Sequence, residues 1–185
     1  MISKKGKNLG LLMVGFLIVF GVVARFLPHP PNFAPIAALA LFGATYLPKK
    51  FALWVPIGAM LISDIFIGFY ALSVMFSVYG SFFLISLLGL WLRKHRRWFT
   101  VVGSAIFGAF LFFAITNFAV WFFTPLYQRN LSGFFQCYLM ALPFFKNTLL
   151  GDLFYATCFF GLYEIVFCWI KKKFSIPSGS AELLL

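Results

Sequence analysis

Three of the four acidic side chains in this 185-residue chain, Asp64, Asp152 and Glu164, are set inside long apolar runs. An ionisable group in such a run is costly in lipid, and its default readings are a solute path, a relay or an ion pair. Asp152 shares a helical face with Thr148 and Tyr155, and Asn117 shares one with Phe113 and Trp121. Polar groups interleaved with aromatic rings are the material of a solute pocket, which is mostly apolar with a few placed polar groups. The candidate binding residues are Arg25, His29, Asn32, Asp64, Asn117, Asn147 and Asp152, with Arg25 or His29 offering positive charge to an anionic group. A second reading stands beside this one. Asp64 and Asp152 pair with Arg25 and Lys146 to neutralise charge, and Asn and Thr bond between helices without any ligand.

Catalytic chemistry has little to build on. Two carboxylates at similar depth are a possible acid–base pair, but no nucleophile or metal cage surrounds them. There is no Walker A, HExxH or GxSxG motif and no His/Cys cluster. Cys137, Cys158 and Cys168 form no CxxC and have no nearby His, so neither a disulfide framework nor a metal site is indicated. We expect no enzyme, no cofactor and no metal.

The elements that must position these residues are apolar and long. The chain is 63% hydrophobic and 10% charged, too few charges to cover a soluble surface. The pattern predicts an all-α polytopic membrane bundle of about six transmembrane helices, over residues 9–27, 33–47, 51–70, 74–92, 98–123 and 143–170. The first run is read as an uncleaved helix rather than a signal peptide. The second is short or broken, since it follows Pro28, Pro30 and Pro31 and contains Pro35. Residues 124–142 are expected to form a connection with an amphipathic interfacial helix.

The net charge of +11 does not indicate nucleic acid, because the basic residues sit in short clusters between apolar runs. With six spans, twelve of the fifteen Lys and Arg fall on one side: the N-terminus, 48–50, 93–97 and 171–173. The positive-inside rule then puts both termini in the cytoplasm, with the buried polar groups crowded toward the opposite face. The resulting organisation is a basic cytoplasmic segment over 1–8, a membrane domain over 9–170 and a basic, irregular tail over 171–185. His29 and His95 fall on opposite sides of the membrane, so they do not share a site. On the second run Ala37, Ala40 and Ala44 form a stripe of small residues, either for internal packing or as a docking face for another membrane protein.

Three segments carry a resemblance: residues 26–43 (FLPHPPNFAPIAALALFG), 115–121 (ITNFAVW) and 142–152 (LPFFKNTLLGD). They resemble a family of uncharacterised bacterial multi-pass membrane proteins described as transport proteins. The layout is more distantly similar to the S components of energy-coupling factor (ECF) vitamin transporters. That resemblance implies a small-molecule solute bound near the outer face, in a bacterial cytoplasmic (inner) membrane. It also implies a membrane coupling subunit with ATPases, docked partly through small residues on the first helix. Here the nearest match to those small residues, Ala40 and Ala44, is on the second. The leading expectation is a solute-binding uptake component. The alternatives are a structural or assembly protein that binds other membrane proteins and, behind it, an intramembrane enzyme.

Overall fold

The computed structural model describes residues 4–174; the side chains of 4–10, 170, 171, 173 and 174 are outside that description. Among the described residues the only regular elements are helices: α1 (Lys4–Phe26), α2 (Ile36–Tyr46), α3 (Lys49–Ala52), α4 (Trp54–Ile67), α5 (Leu72–Leu92), α6 (Trp98–Phe123) and α7 (Leu131–Phe174). α3 is a single turn that leads into α4, and four helices are then long and apolar enough to cross a membrane: 49–67, α5, α6 and α7. Large apolar side chains such as Phe66, Phe76, Phe110 and Ile165 stand exposed around the bundle. In water these would be a liability; in lipid they are the solvent-matched surface.

The bundle is built around its shortest long-range element. α2 follows a stretch in which Pro28, Pro30, Pro31 and Pro35 remove four N–H donors, so the chain stays irregular until Ile36. Eleven residues long, it covers about 16 Å at about 1.5 Å per residue, roughly half of a hydrocarbon core. Ten of those residues are buried. It runs parallel to α5 and α7. A Cβ on Gly89 would meet the Leu41 carbonyl oxygen at 2.6 Å and the Ala44 Cβ at 2.7 Å, so only glycine permits this approach. Thr45 donates to the Gly89 carbonyl at 3.1 Å. On the other flank the rings of Phe42 and Phe160 meet edge to face, and Tyr46 packs on Tyr163.

This placement corrects the docking expectation for the alanine stripe. Ala37, Ala40 and Ala44 are 5%, 0% and 0% exposed. Small side chains at this spacing bring α2 against its own neighbours within the bundle. The C-terminal carbonyls of α2 are closed internally as well. The Arg93 guanidinium, at the end of α5, donates from Nε to the Ala44 carbonyl at 2.7 Å and from Nη2 to that of Leu47.

The second correction concerns 124–142. The connection is confined to 124–130, and 131–142 is the first part of the 44-residue α7. Asn130 caps it, its Oδ1 accepting the Gly133 N–H at 2.8 Å. The segment lies antiparallel on α6 rather than along an interface. The Tyr138 hydroxyl donates to the Ala114 carbonyl at 2.7 Å, and Trp121 meets Phe134 edge to face. Pro143 sits inside the helix without ending it. At its other end α7 continues through the lysine run to Phe174; the remainder of the tail expected to be irregular, 175–185, lies outside the described residues.

Candidate functional site

α1, α4 and α6 run from the basic end of the bundle, which holds Lys49, Lys50 and 93–97, to the far end; α2, α5 and α7 return. Because α2 is short, its N-terminus stops inside the bundle. A cavity of about 290 Å³ opens there, lined among others by Arg25, Asn32, Tyr70, Phe112, Thr148 and Asp152. Asn32, Val78, Phe112 and Thr148 also line a neighbouring space of about 210 Å³ that reaches Thr116 and Asn117. Each element contributes for a local reason. Arg25 is in the last turn of α1, where a cation suits the helix dipole. Asn32 adopts a φ of 65°, a left-handed conformation that Asn tolerates, in the proline-rich turn. Asp152 follows Gly151, whose missing side chain lets α7 approach this turn: a Cβ there would meet the Phe33 Cα at 3.2 Å.

The two buried aspartates are in different states. Asp64 is 1% exposed and fully engaged. Its Oδ1 accepts from Arg25 Nη1 at 2.7 Å, and its Oδ2 accepts the Tyr79 hydroxyl at 2.8 Å. The same Nη1 also donates to Ser63 Oγ and, at 3.4 Å, to the Met60 carbonyl. Asp152 is 2% exposed, and its Oδ2 has no hydrogen-bond partner. Lys146, the partner considered from sequence, is exposed and forms no ion pair with it among the described residues. Thr148 uses its hydroxyl on the Phe144 carbonyl, one turn back on its own helix.

Of the seven residues expected at a site, Arg25, Asn32 and Asp152 line the larger space and Asn117 the smaller. Asp64 stands behind Arg25 and holds it. Asn147 donates to the Pro31 carbonyl at 3.1 Å and so ties α7 to the 28–35 turn. His29 is in that turn, its Nδ1 2.9 Å from the Pro30 carbonyl, and does not line either space. Ser63, Tyr70 and Tyr79 were not expected. Ser63 adjoins Asp64 and was findable. Tyr70 precedes α5 and Tyr79 is about two turns into it, and their aromatic type alone does not separate them from the many lipid-facing rings. Tyr70 lies in the α4–α5 turn, and burial, with the nearby Asp64 carboxylate, pushes its phenol up to about 12. It therefore stays a neutral donor near neutrality.

A further space of about 470 Å³ lies at the basic end, between Tyr46, Arg93, Arg96, Tyr163 and Glu164. It is larger, but its polar groups are largely committed to one another. Arg93 holds α2, Tyr46 donates to Glu164 at 3.3 Å, and Arg96 lies over the Tyr46 ring. The unpartnered carboxylate makes the far-end cavity the better candidate, despite its smaller volume.

The model of a protein family of unknown function, DUF6580, matches residues 5–177. The chain belongs to that family. The match covers both the cavity and the helices that build it, so the site described here is that of a DUF6580 protein. Neither the curated proteins nor the solved structures give a match.

Proposed function

We propose that this DUF6580 protein is the solute-binding component of a membrane uptake system. In this reading α1, the short α2, the 49–67 segment, α5, α6 and α7 make six passes through a bacterial cytoplasmic membrane. Both termini are inside, and the basic end faces the cytoplasm. The far-end cavity then opens outward. Energy comes from a partner subunit, which docks on a face other than the alanine stripe.

The observation that carries the reading is Asp152, a buried carboxylate without a partner on the wall of a cavity that also presents Arg25, Asn32, Tyr70 and Thr148. Leaving such a group unpaired costs several kcal/mol, about 1–3 even for neutral polar groups and more for charged ones. Buried polar groups that serve only packing are as a rule hydrogen-bonded. The test is direct binding: the purified chain in lipid nanodiscs is screened against a broad vitamin and metabolite collection, and saturable binding is expected. A folded protein that binds nothing in that screen removes the reading.

One observation favours the alternative of a structural or assembly protein. Arg25, Ser63, Asp64 and Tyr79 form a closed network that needs no ligand. Under that alternative, Asp152→Asn destabilises the fold as much as Asp64→Asn does. Under the uptake reading only Asp64→Asn does so.

A further inference from the structure

We infer that the solute carries an organic ammonium group, held by the Asp152 carboxylate. The inference rests on the uptake reading above and names the chemical class of the ligand. Its first support is the pairing of the acidic groups. Arg25 and Asp64 neutralise each other across 2.7 Å, which leaves Asp152 as the acidic group at the cavity without a cationic partner. A cation entering the cavity completes the balance, whereas an anion would face an uncompensated carboxylate.

The second support is the helix end that shares the cavity with that carboxylate. Ile36 and Ala37, in the first turn of α2, line the same cavity as Asp152. The N–H groups of a first helical turn have no acceptor within the helix, and no side chain caps this one. A helix N-terminus favours negative charge beside it and so opposes protonation. It lowers the cost of the charge without donating a hydrogen bond to Oδ2, which remains open.

The third support separates an organic cation from a metal ion. A hard metal cation takes about six or more oxygen ligands. Among the described residues no three His, Cys, Asp or Glu side chains come together to hold one. The remaining walls are instead apolar and aromatic. Phe82 and Phe112 stack at 5.3 Å, and Met60, Val78 and Ile36 complete the lining. Ring faces attract cations, and these surfaces receive the carbon skeleton that an ammonium compound brings with it.

The experiment uses the full chain in nanodiscs and three probes of nearly equal shape: phenethylammonium, 2-phenylethanol and 3-phenylpropionate. Phenethylammonium is expected to bind saturably, on the order of thirtyfold more tightly than the alcohol, with the carboxylate weakest. Asp152→Asn should erase this order while the protein remains monodisperse and helical. The wild-type comparison alone decides the matter if that variant fails to fold. Equal affinities, a preference for the alcohol or the carboxylate, an order that survives in Asp152→Asn, or no binding of any probe each overturn the inference. The metabolite screen keeps the two failures apart. A neutral or anionic solute found there, with no ammonium preference, leaves the uptake reading standing and removes only this one.

Discussion

Asp64 and Asp152 sit in the same part of the bundle and are almost equally buried, 1% and 2% exposed, yet their hydrogen bonding differs. Asp64 is bonded through both oxygens, to a guanidinium and to a phenol. Asp152 borders a cavity and has an oxygen with no partner. Burial alone therefore does not distinguish the two carboxylates; the state of their hydrogen bonds does. Asp64 serves the fold by holding the end of α1 on α4 and α5. Asp152 keeps one buried oxygen without a bond, the feature on which the proposed solute site rests.

The largest effect should come from stripping Asp64 of its cation. Arg25→Met leaves a buried carboxylate with only Tyr79, and should cost about 3–5 kcal/mol in equilibrium unfolding in detergent micelles. Replacing the pair together, Arg25→Met with Asp64→Leu, should recover most of that loss, because hydrophobic substitution of a whole buried pair is often neutral. A double variant as unstable as the single one would mean that the network does more than balance charge.

Asp152→Asn should move stability the other way. Relieving an unpaired buried carboxyl group should gain roughly 1–2 kcal/mol in the same assay, at the expense of solute binding. A loss of that size would show that Asp152 supports the fold, and the contrast with Asp64 would collapse. Smaller again is Tyr79→Phe, which removes one of the bonds to Asp64 and should cost about 1 kcal/mol, the scale of interhelical hydrogen bonds in membranes. No change in that variant would mean that Arg25 alone satisfies Asp64.

Half of this comparison was legible in the sequence. The clustering of Lys and Arg tells which end of the bundle each aspartate approaches, and the ion-pair reading gives Asp64 the Arg25 partner that the structure shows. The proline-rich stretch before α2 announced a short helix, and its shortness is what opens the cavity. The remainder depends on facts that periodicity does not carry. Ala37, Ala40 and Ala44 define a face but not what it meets, and only the three-dimensional packing turns that face inward. Residues 131–142 contain Ser132, Gly133 and Gln136 and are followed by Pro143, which reads as a connection. They continue α7 because Asn130 caps the start and α6 covers one side, and because neighbouring helices can accommodate a helical proline in a membrane bundle. The hydroxyl of Tyr79 reaches Asp64 across fifteen residues, a pairing that no local rule supplies.

Lys146 provides the smallest effect and the sharpest check on the contrast. It precedes Asp152 by six residues on α7, so the two positions lie about 9 Å apart along the helix axis and about 120° apart around it. A long lysine reaching back would supply the missing partner, as the sequence alone allowed. Its side chain is exposed instead, and it forms no ion pair with Asp152 among the described residues. Lys146→Gln should therefore leave stability within about 0.5 kcal/mol of the parent, as surface substitutions usually do, and should leave binding at Asp152 intact. A loss above that scale, cancelled when Asp152→Asn is added, would reveal a pair. Asp152 would then be a second Asp64, and the cavity beside it a gap between packed helices rather than a seat for a solute.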